Sequence, residues 1–220
     1  MIIAPKLKLL KQRQGDAPTI VQILPAMVRG GVERGTIEMA DAIQKHGGRA
    51  IVVSRGGPMV RHLDRLGVTH YQLDVHSKNP FRWPQVRSRL KTILNLENAD
   101  LVHVRSRVPA WIAVPAAAAL GIATVSTVHG RFTTLSALKR IYNRKLLKTD
   151  HVIAISNYVK GLITSQYVEV ESRLTVVHRG VDIDLFNPNN VNQTRIVNIV
   201  EGLAIPEDEP VIMLPARATK

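Results

Sequence analysis

The chain has 220 residues, 45% of them hydrophobic, with no cysteine and a formal net charge of +13. That length holds one full α/β domain and the start of another, and the lack of cysteine excludes a disulfide framework, a thiolate nucleophile and a cysteine-ligated metal, which fits a reducing cytoplasm. The excess of 30 Lys+Arg over 17 Asp+Glu points to an anionic partner (phosphate groups, an acidic membrane surface or nucleic acid), while 4% aromatics leaves few stacking platforms for bases and disfavours nucleic acid.

Residues 1–11 set lysines between leucines but offer neither an apolar signal core nor a small-residue cleavage site. Residues 1–18 therefore read as a basic leader that closes at Asp16-Ala17-Pro18. An apolar run at 19–24 predicts a strand, and the periodicity of 33–45 predicts a helix. Between them lies Pro25-Ala26-Met27-Val28-Arg29-Gly30-Gly31-Val32-Glu33. In this strand–glycine–helix turn, Gly30 and Gly31 would let the backbone take positive φ and approach a ligand under the free N–H groups of the helix. The spacing Gly30, Gly31, Gly35 cannot be written as the dinucleotide fingerprint, which disfavours a nicotinamide cofactor. An ordinary strand-to-helix turn fits the loop as well as an anion site does.

Further strands are predicted at 50–54, 69–73, 101–105, 123–127, 151–155, 174–178 and 210–214, and helices at 59–65, 84–97, 109–120, 134–147, 156–165 and 193–203. Strands apolar at every position, alternating with helices, predict a parallel sheet covered on both faces: the class is α/β, doubly wound. Asp100 and Asp150 each stand just before a buried strand, Ser156 is placed to cap a helix, and Gly47-Gly48 closes the first one. The longest apolar stretch, 111–123, is broken by Pro115 and Gly121 and reads as a buried helix, well short of the ~18 residues of a membrane span. Asn187-Pro188-Asn189-Asn190 reads as a linker. The division expected is a domain over 19–190, then a helix and first strand of an incomplete second domain over 191–220.

Ligands of an open parallel sheet bind outside the carboxyl ends of its strands. Arg29-Gly30-Gly31, then His103, Arg105 and Arg107, then His129, Gly130 and Arg131, then His178 and Arg179 all fall on that rim. His103 lies inside an apolar strand and is either a satisfied core histidine or a donor to a sugar hydroxyl or phosphate. Arg105 and Arg107 alternate with Ser106, so in a continuing strand they point the same way and make a fork for phosphate, or merely solvate a strand end. His129, freed by Gly130, is the histidine best placed to meet a phosphate or hydroxyl. The histidines lack the i, i+4 spacing of a helical metal site, and no G-x-S-x-G elbow is present.

Three segments give the chain a resemblance to the N-terminal domain of a family 4 glycosyltransferase of GT-B architecture. They are Arg29-Gly30-Gly31-Val32-Glu33 with its helix, Thr127-Val128-His129-Gly130, and Val176-Val177-His178-Arg179-Gly180-Val181-Asp182-Ile183-Asp184-Leu185-Phe186-Asn187-Pro188, which is similar to the family's segment crossing between domains. The likeness runs from about 19 to 220, and lipopolysaccharide-type sugar transferases look nearest.

The resemblance implies a Rossmann-like N-terminal half of a GT-B fold. It implies transfer of a sugar from a nucleotide-sugar to an acceptor hydroxyl, with retention, without metal, and with no cofactor beyond the nucleotide-sugar co-substrate. On it, His129 takes the place of the active-site histidine, Gly30 and Gly31 of the loop on the donor-phosphate side, and Arg217 of a diphosphate-binding arginine. The acceptor would lie near His103, Arg105, Arg107 and Arg131. An anionic glycan or glycolipid acceptor of the cell envelope, met at the inner face of the cytoplasmic membrane, suits the +13 charge and two basic helices, 84–95 and 138–148. The family's glutamate pair is missing and Ala216 stands where glycine is usual, so the chain is expected to lack the donor-binding half. The competing readings are an inactive acceptor- or membrane-binding module, a charge-driven nucleic-acid binder without a recognised motif, and an epimerase relative, which the 181–188 segment disfavours.

Overall fold

Among the described residues, seven of the eight predicted strands form, all in one sheet. The computed structural model describes residues 17–77, 79–130, 136–206 and 210–214. The strands are β1 (Thr19–Ile23), β2 (Arg49–Ser54), β3 (Thr69–Gln72), β4 (Leu101–Val104), β5 (Ala123–Val128), β6 (His151–Ala154) and β7 (Leu174–Val176). Every pairing is parallel and the order is β3-β2-β1-β4-β5-β6-β7. The chain therefore runs outward from β1 to β3, returns across the sheet, and runs the other way from β4. Right-handed crossovers then place the helices of the two halves on opposite faces.

Packing bears this out. On one face α1 (Gly31–Lys45) and α2 (Val60–Arg65) bury Ala40, Ile43 and Leu63 against Ala50 and Val52. On the other, α3 (Trp83–Leu96), α4 (Arg107–Leu120) and α6 (Asn157–Thr164) pack Leu90, Leu94, Ile112 and Ile163 against Ile23, Val53, Val104 and Val152. Register explains which strand residues go where. Ile23 is level with Val53 and Val104, whereas Gln22 is level with Val52 and His103, so a polar pair is carried onto the α1 face. The glutamine is held there because its side-chain amide donates to the Thr36 carbonyl of α1 at 3.0 Å.

Local chemistry fixes the element ends. Asp100 and Asp150 each bind the neighbouring strand: Asp100 Oδ2 accepts from the Thr19 N–H at 2.8 Å, and Asp150 Oδ2 accepts from both the N–H and the hydroxyl of Thr124 at 2.8 Å. Ser156 caps α6 through the Val159 N–H, and Ser136 caps α5 (Ala137–Arg144) through that of Lys139. Gly47, at φ +78°, closes α1 in the left-handed conformation. The opening glycines behave otherwise than the sequence predicts. Gly30 sits at φ 162°, extended backbone open to any residue, and Gly31 is already helical, so neither needs a left-handed conformation.

The chain divides into two compact units, Met1–Arg179 and Gly180–Lys220. The second unit contains a 3-10 turn at Pro188–Asn190 and α7 (Gln193–Gly202), whose cap Asn192 accepts from the Thr194 N–H. The predicted strand at 210–214 does not form: Ile212 and Leu214 are almost fully exposed, and none of the described residues of this unit is in a strand to pair with it. A strand needs a partner as well as apolar composition. Most of the leader, and Arg131, Arg217, Lys220 and residues 134–135 of the fifth predicted helix, lie outside the described residues.

Candidate active site

β4 ends at Val104 and α4 begins at Arg107, two residues earlier than its apolar periodicity predicts. The strand alternation expected to aim Arg105 and Arg107 together therefore stops short of them. Arg105 turns inward: it is 5% exposed, and its Nη1 donates to Gln22 Oε1 at 2.9 Å. Gln22 thus spends both ends of its amide, one on Arg105 and one on α1, which locks the guanidinium against that helix. Arg107 instead donates to Asn143 Oδ1 of α5 at 3.0 Å. The two arginines are not a fork, yet both reach the same space.

That space is a cavity of about 270 Å³ lined by Val32, Arg105, Ser106, Arg107, Thr127, Val128, His129, Gly130 and Leu146. It opens at the carboxyl ends of β4 and β5 beside the first turn of α1, where a doubly wound sheet takes its ligands. His129 stands just past β5. Both of its ring nitrogens are shielded from solvent and have no hydrogen-bond partner among the described residues. Burial, then Arg105 and Arg179, lower its pKa to about 3, so at neutral pH the ring is uncharged. His103 lies beneath it and does not line the cavity; it is 4% exposed and bonded through Nε2 to Thr127 Oγ1 at 2.8 Å. Burial, reinforced by Arg105 and His129, holds its pKa well below the ordinary value. His103 thus fixes Thr127, a cavity residue, instead of facing a ligand itself.

The glycine loop forms the adjoining wall. Residues 25–28 are stitched to the loop after β2 by bonds from the Met27 N–H to the Gly56 carbonyl at 2.9 Å and from the Met59 N–H to the Met27 carbonyl at 2.8 Å. Gly57 is required there: its φ is +144°, and a Cβ would stand 2.4 Å from the Met27 carbonyl oxygen. On the far side of Gly30 and Gly31 a second cavity, about 700 Å³, is lined by Val28, Arg29, Arg34, Pro58, Met59, Arg61 and His62. α1 starts with no side-chain N-cap, so its first N–H groups face the loop. Among the described residues no group of three or more His, Cys, Asp or Glu side chains is arranged to hold a metal ion, and no helix is long and apolar enough to cross a membrane.

Sequence reasoning missed Gln22 and the inward turn of Arg105. A glutamine within the otherwise apolar β1 was the available signal, since a fully buried polar side chain must have partners. It also left Arg179 without a role. That residue follows β7 and reaches α1, pairing with Glu38 at 3.6 Å.

Comparison with known proteins agrees with this geometry. A glycosyltransferase from Rickettsia africae is 36% identical, with a TM-score of 0.81, over 93% of this chain and 54% of its own. HepE from Anabaena, solved with UDP-glucose, is similar in fold at 15% identity and a TM-score of 0.67, over 84% of this chain and 50% of its own. A sucrose-phosphate synthase from Thermosynechococcus elongatus is likewise similar in fold, at 14% identity and a TM-score of 0.63, over 88% of this chain and 54% of its own. The chain thus spans about half the length of these three solved structures. A search of curated proteins finds no match. The model of Glycosyltransferase Family 4 matches residues 29–185, which hold the glycine loop, the His129 cavity and Arg179, and the chain belongs to that family.

Proposed function

We propose that this chain is the acceptor-side half of a retaining glycosyltransferase that moves a hexosyl unit from a nucleotide-sugar to a hydroxyl of an anionic glycan or glycolipid of the cell envelope. The observation that carries the reading is His129. Its two ring nitrogens are desolvated, without protein partners among the described residues, and held at the rim where such sheets bind ligands. Being neutral at pH 7, it offers one N–H and one lone pair to sugar hydroxyls.

In the reaction the bond from the anomeric carbon to the diphosphate oxygen breaks, a bond to the acceptor oxygen forms, and the acceptor proton leaves with the diphosphate. Charge grows on that leaving group, and the uncapped start of α1 at Gly30 and Gly31 presents N–H donors and a positive dipole to it. Arg105 and Arg107, with Arg131, serve the acceptor side, and His103 acts there through Thr127, the cavity residue it holds. Residues 191–220 belong to the donor-binding domain, where Arg217 meets the diphosphate. The nucleotide-sugar is the only small molecule required besides the acceptor. The place of work is the inner face of the cytoplasmic membrane. Supporting it, α5 exposes Leu138 (80%) and Ile141 (59%) among Lys139, Arg140 and Arg144, a mixture suited to an anionic lipid surface.

The test is sugar transfer from a panel of labelled nucleotide-sugars into membrane glycolipid. His129→Asn is expected to reduce it at least ~100-fold with an unchanged circular dichroism spectrum and Tm; retained turnover removes His129 from the chemistry. Binding of acceptor or anionic vesicles without any transfer or donor hydrolysis by the unaltered protein would make it a binding module.

A further inference from the structure

Two guanidinium groups close on the first two turns of α1, and glycine is what admits them. A Cβ at Gly31 would stand 2.6 Å from Arg179 Nη1, and one at Gly35 would stand 3.0 Å from both Arg105 Nη2 and Arg179 Nη2. Gly35 lies in the interior of a helix, where glycine is unfavourable by roughly 1 kcal/mol against alanine, so its presence calls for a reason of this kind.

The charges around these two groups do not balance. Arg105 is 5% exposed, its Nε has no partner among the described residues, and the hydrogen bond it makes through Nη1 is to the neutral Gln22. Among the described residues Arg179 pairs only with Glu38, at 3.6 Å from Oε2, and the other oxygen of that carboxylate accepts from Arg34 at 2.8 Å. Glu33 lies against Gly30 and makes no ion pair among the described residues. Arg34 and Arg179 thus share the Glu38 carboxylate while Arg105 has no ion pair among the described residues, beside the first turns of a 15-residue helix that has no side-chain cap and carries one acidic residue, Glu33, in its first turn. Burial first, then Arg179, lowers the Arg105 pKa to about 10 against the opposing pull of Glu38, the mark of a desolvated cation held close to another.

We propose that Arg105 and Arg179, seated over Gly31 and Gly35, form a two-guanidinium clamp that binds a phosphate group. Two planar forks and helix N–H groups suit the several oxygens and double charge of a phosphate better than the single charge of a carboxylate. The anion site stands independently of sugar transfer; giving the phosphate to a substrate rests on the reading above. Two sources supply the same chemistry, the diphosphate of the donor and a phosphate carried by the acceptor.

Calorimetric titration of the 220-residue protein with inorganic pyrophosphate, and separately with glycerol 3-phosphate, decides the matter. Saturable binding of at least one, weakened by added salt, is expected. Arg179→Gln, at an exposed position that leaves folding intact, should weaken it at least tenfold. Arg61→Gln, beyond the glycine loop, should change it less than twofold. Gly35→Ala should weaken it as well while Tm holds or rises, a dissociation that a merely structural role would not produce. Tighter pyrophosphate binding assigns the clamp to the donor, and tighter monoester binding assigns it to the acceptor. No binding of either anion at millimolar concentration, unchanged affinity in Arg179→Gln, or equal losses in Arg179→Gln and Arg61→Gln would overturn the clamp. Each of those failures leaves the His129 transfer test untouched, and the failure of that test leaves the clamp standing.

Discussion

At the amino ends of the strands, charged groups are matched. Asp100 holds the Thr19 N–H, Asp150 holds Thr124 twice, Arg49 pairs with the buried Glu97, which also accepts from the Tyr71 hydroxyl, and Arg173 donates to the Thr149 carbonyl. At the carboxyl ends, among the described residues, Arg105 is tied only to a neutral amide, His129 has no protein partner for either nitrogen, and Arg179 shares its carboxylate with Arg34. The same residue types thus serve opposite ends. Where each polar group is satisfied, it stabilises the sheet; where groups are desolvated without a full set of partners, as at His129 and Arg105, they are held ready for something else at a cost in stability.

The largest effect that separates the two rims should come from Asp150→Ala. It leaves the N–H and hydroxyl of buried Thr124 without their acceptor, and a loss of about 2–3 kcal/mol in urea unfolding is expected. Anion binding at the opposite rim should survive it. A loss below ~0.5 kcal/mol would mean that the amino rim is not what secures the sheet.

The order of elements was legible because parallel strands are buried on both faces and read as continuous apolar runs: 151–155 and 101–105 could hardly be anything else. The Rossmann-like class and the position of His129 followed. What remained hidden turned on boundaries and distant approaches. One residue of difference in where β4 stops decides whether Arg105 and Arg107 share a direction, and periodicity does not resolve an element end that finely. Arg179 follows β7, four strands from β1 in the sheet, and still meets α1, an approach that no local pattern encodes. Glycines were recognised, but for the wrong reason: the sequence shows that a side chain is absent at 31 and 35, and only the fold shows that two arginines fill the room.

A smaller, pH-dependent effect belongs to the carboxyl rim. The pKa of His129 is lowered to about 3 in the folded protein by burial, Arg105 and Arg179, whereas the unfolded chain keeps the ordinary value near 6.5. Between those values the unfolded state binds the proton that the native state refuses. Stability is therefore constant above about pH 6.5 on account of this group, and falls as the pH drops through the window below it, with a slope of at most about 1.4 kcal/mol per pH unit. His129→Gln should flatten that limb of the stability–pH curve. A bound phosphate would offset the two guanidiniums, so the histidine pKa, followed by NMR, should rise when pyrophosphate is added. An unchanged acid limb in the variant would mean that His129 is not desolvated as described.

The smallest effect sharpens the comparison by testing charge that is abundant but solvated. Arg29, Arg34 and Arg61 lie on the same rim, around the cavity beyond Gly30 and Gly31, and all three are exposed. Water and salt screen such groups, so they neither strain the fold nor hold it together. Arg61→Gln should change unfolding free energy by no more than ~0.5 kcal/mol and leave the pH profile unaltered. If it instead raised stability as much as removing a buried unpaired group does, cationic crowding over the whole rim would explain the shifted histidine. The distinction between the Arg105–Arg179 pair and the outer arginines would then fail.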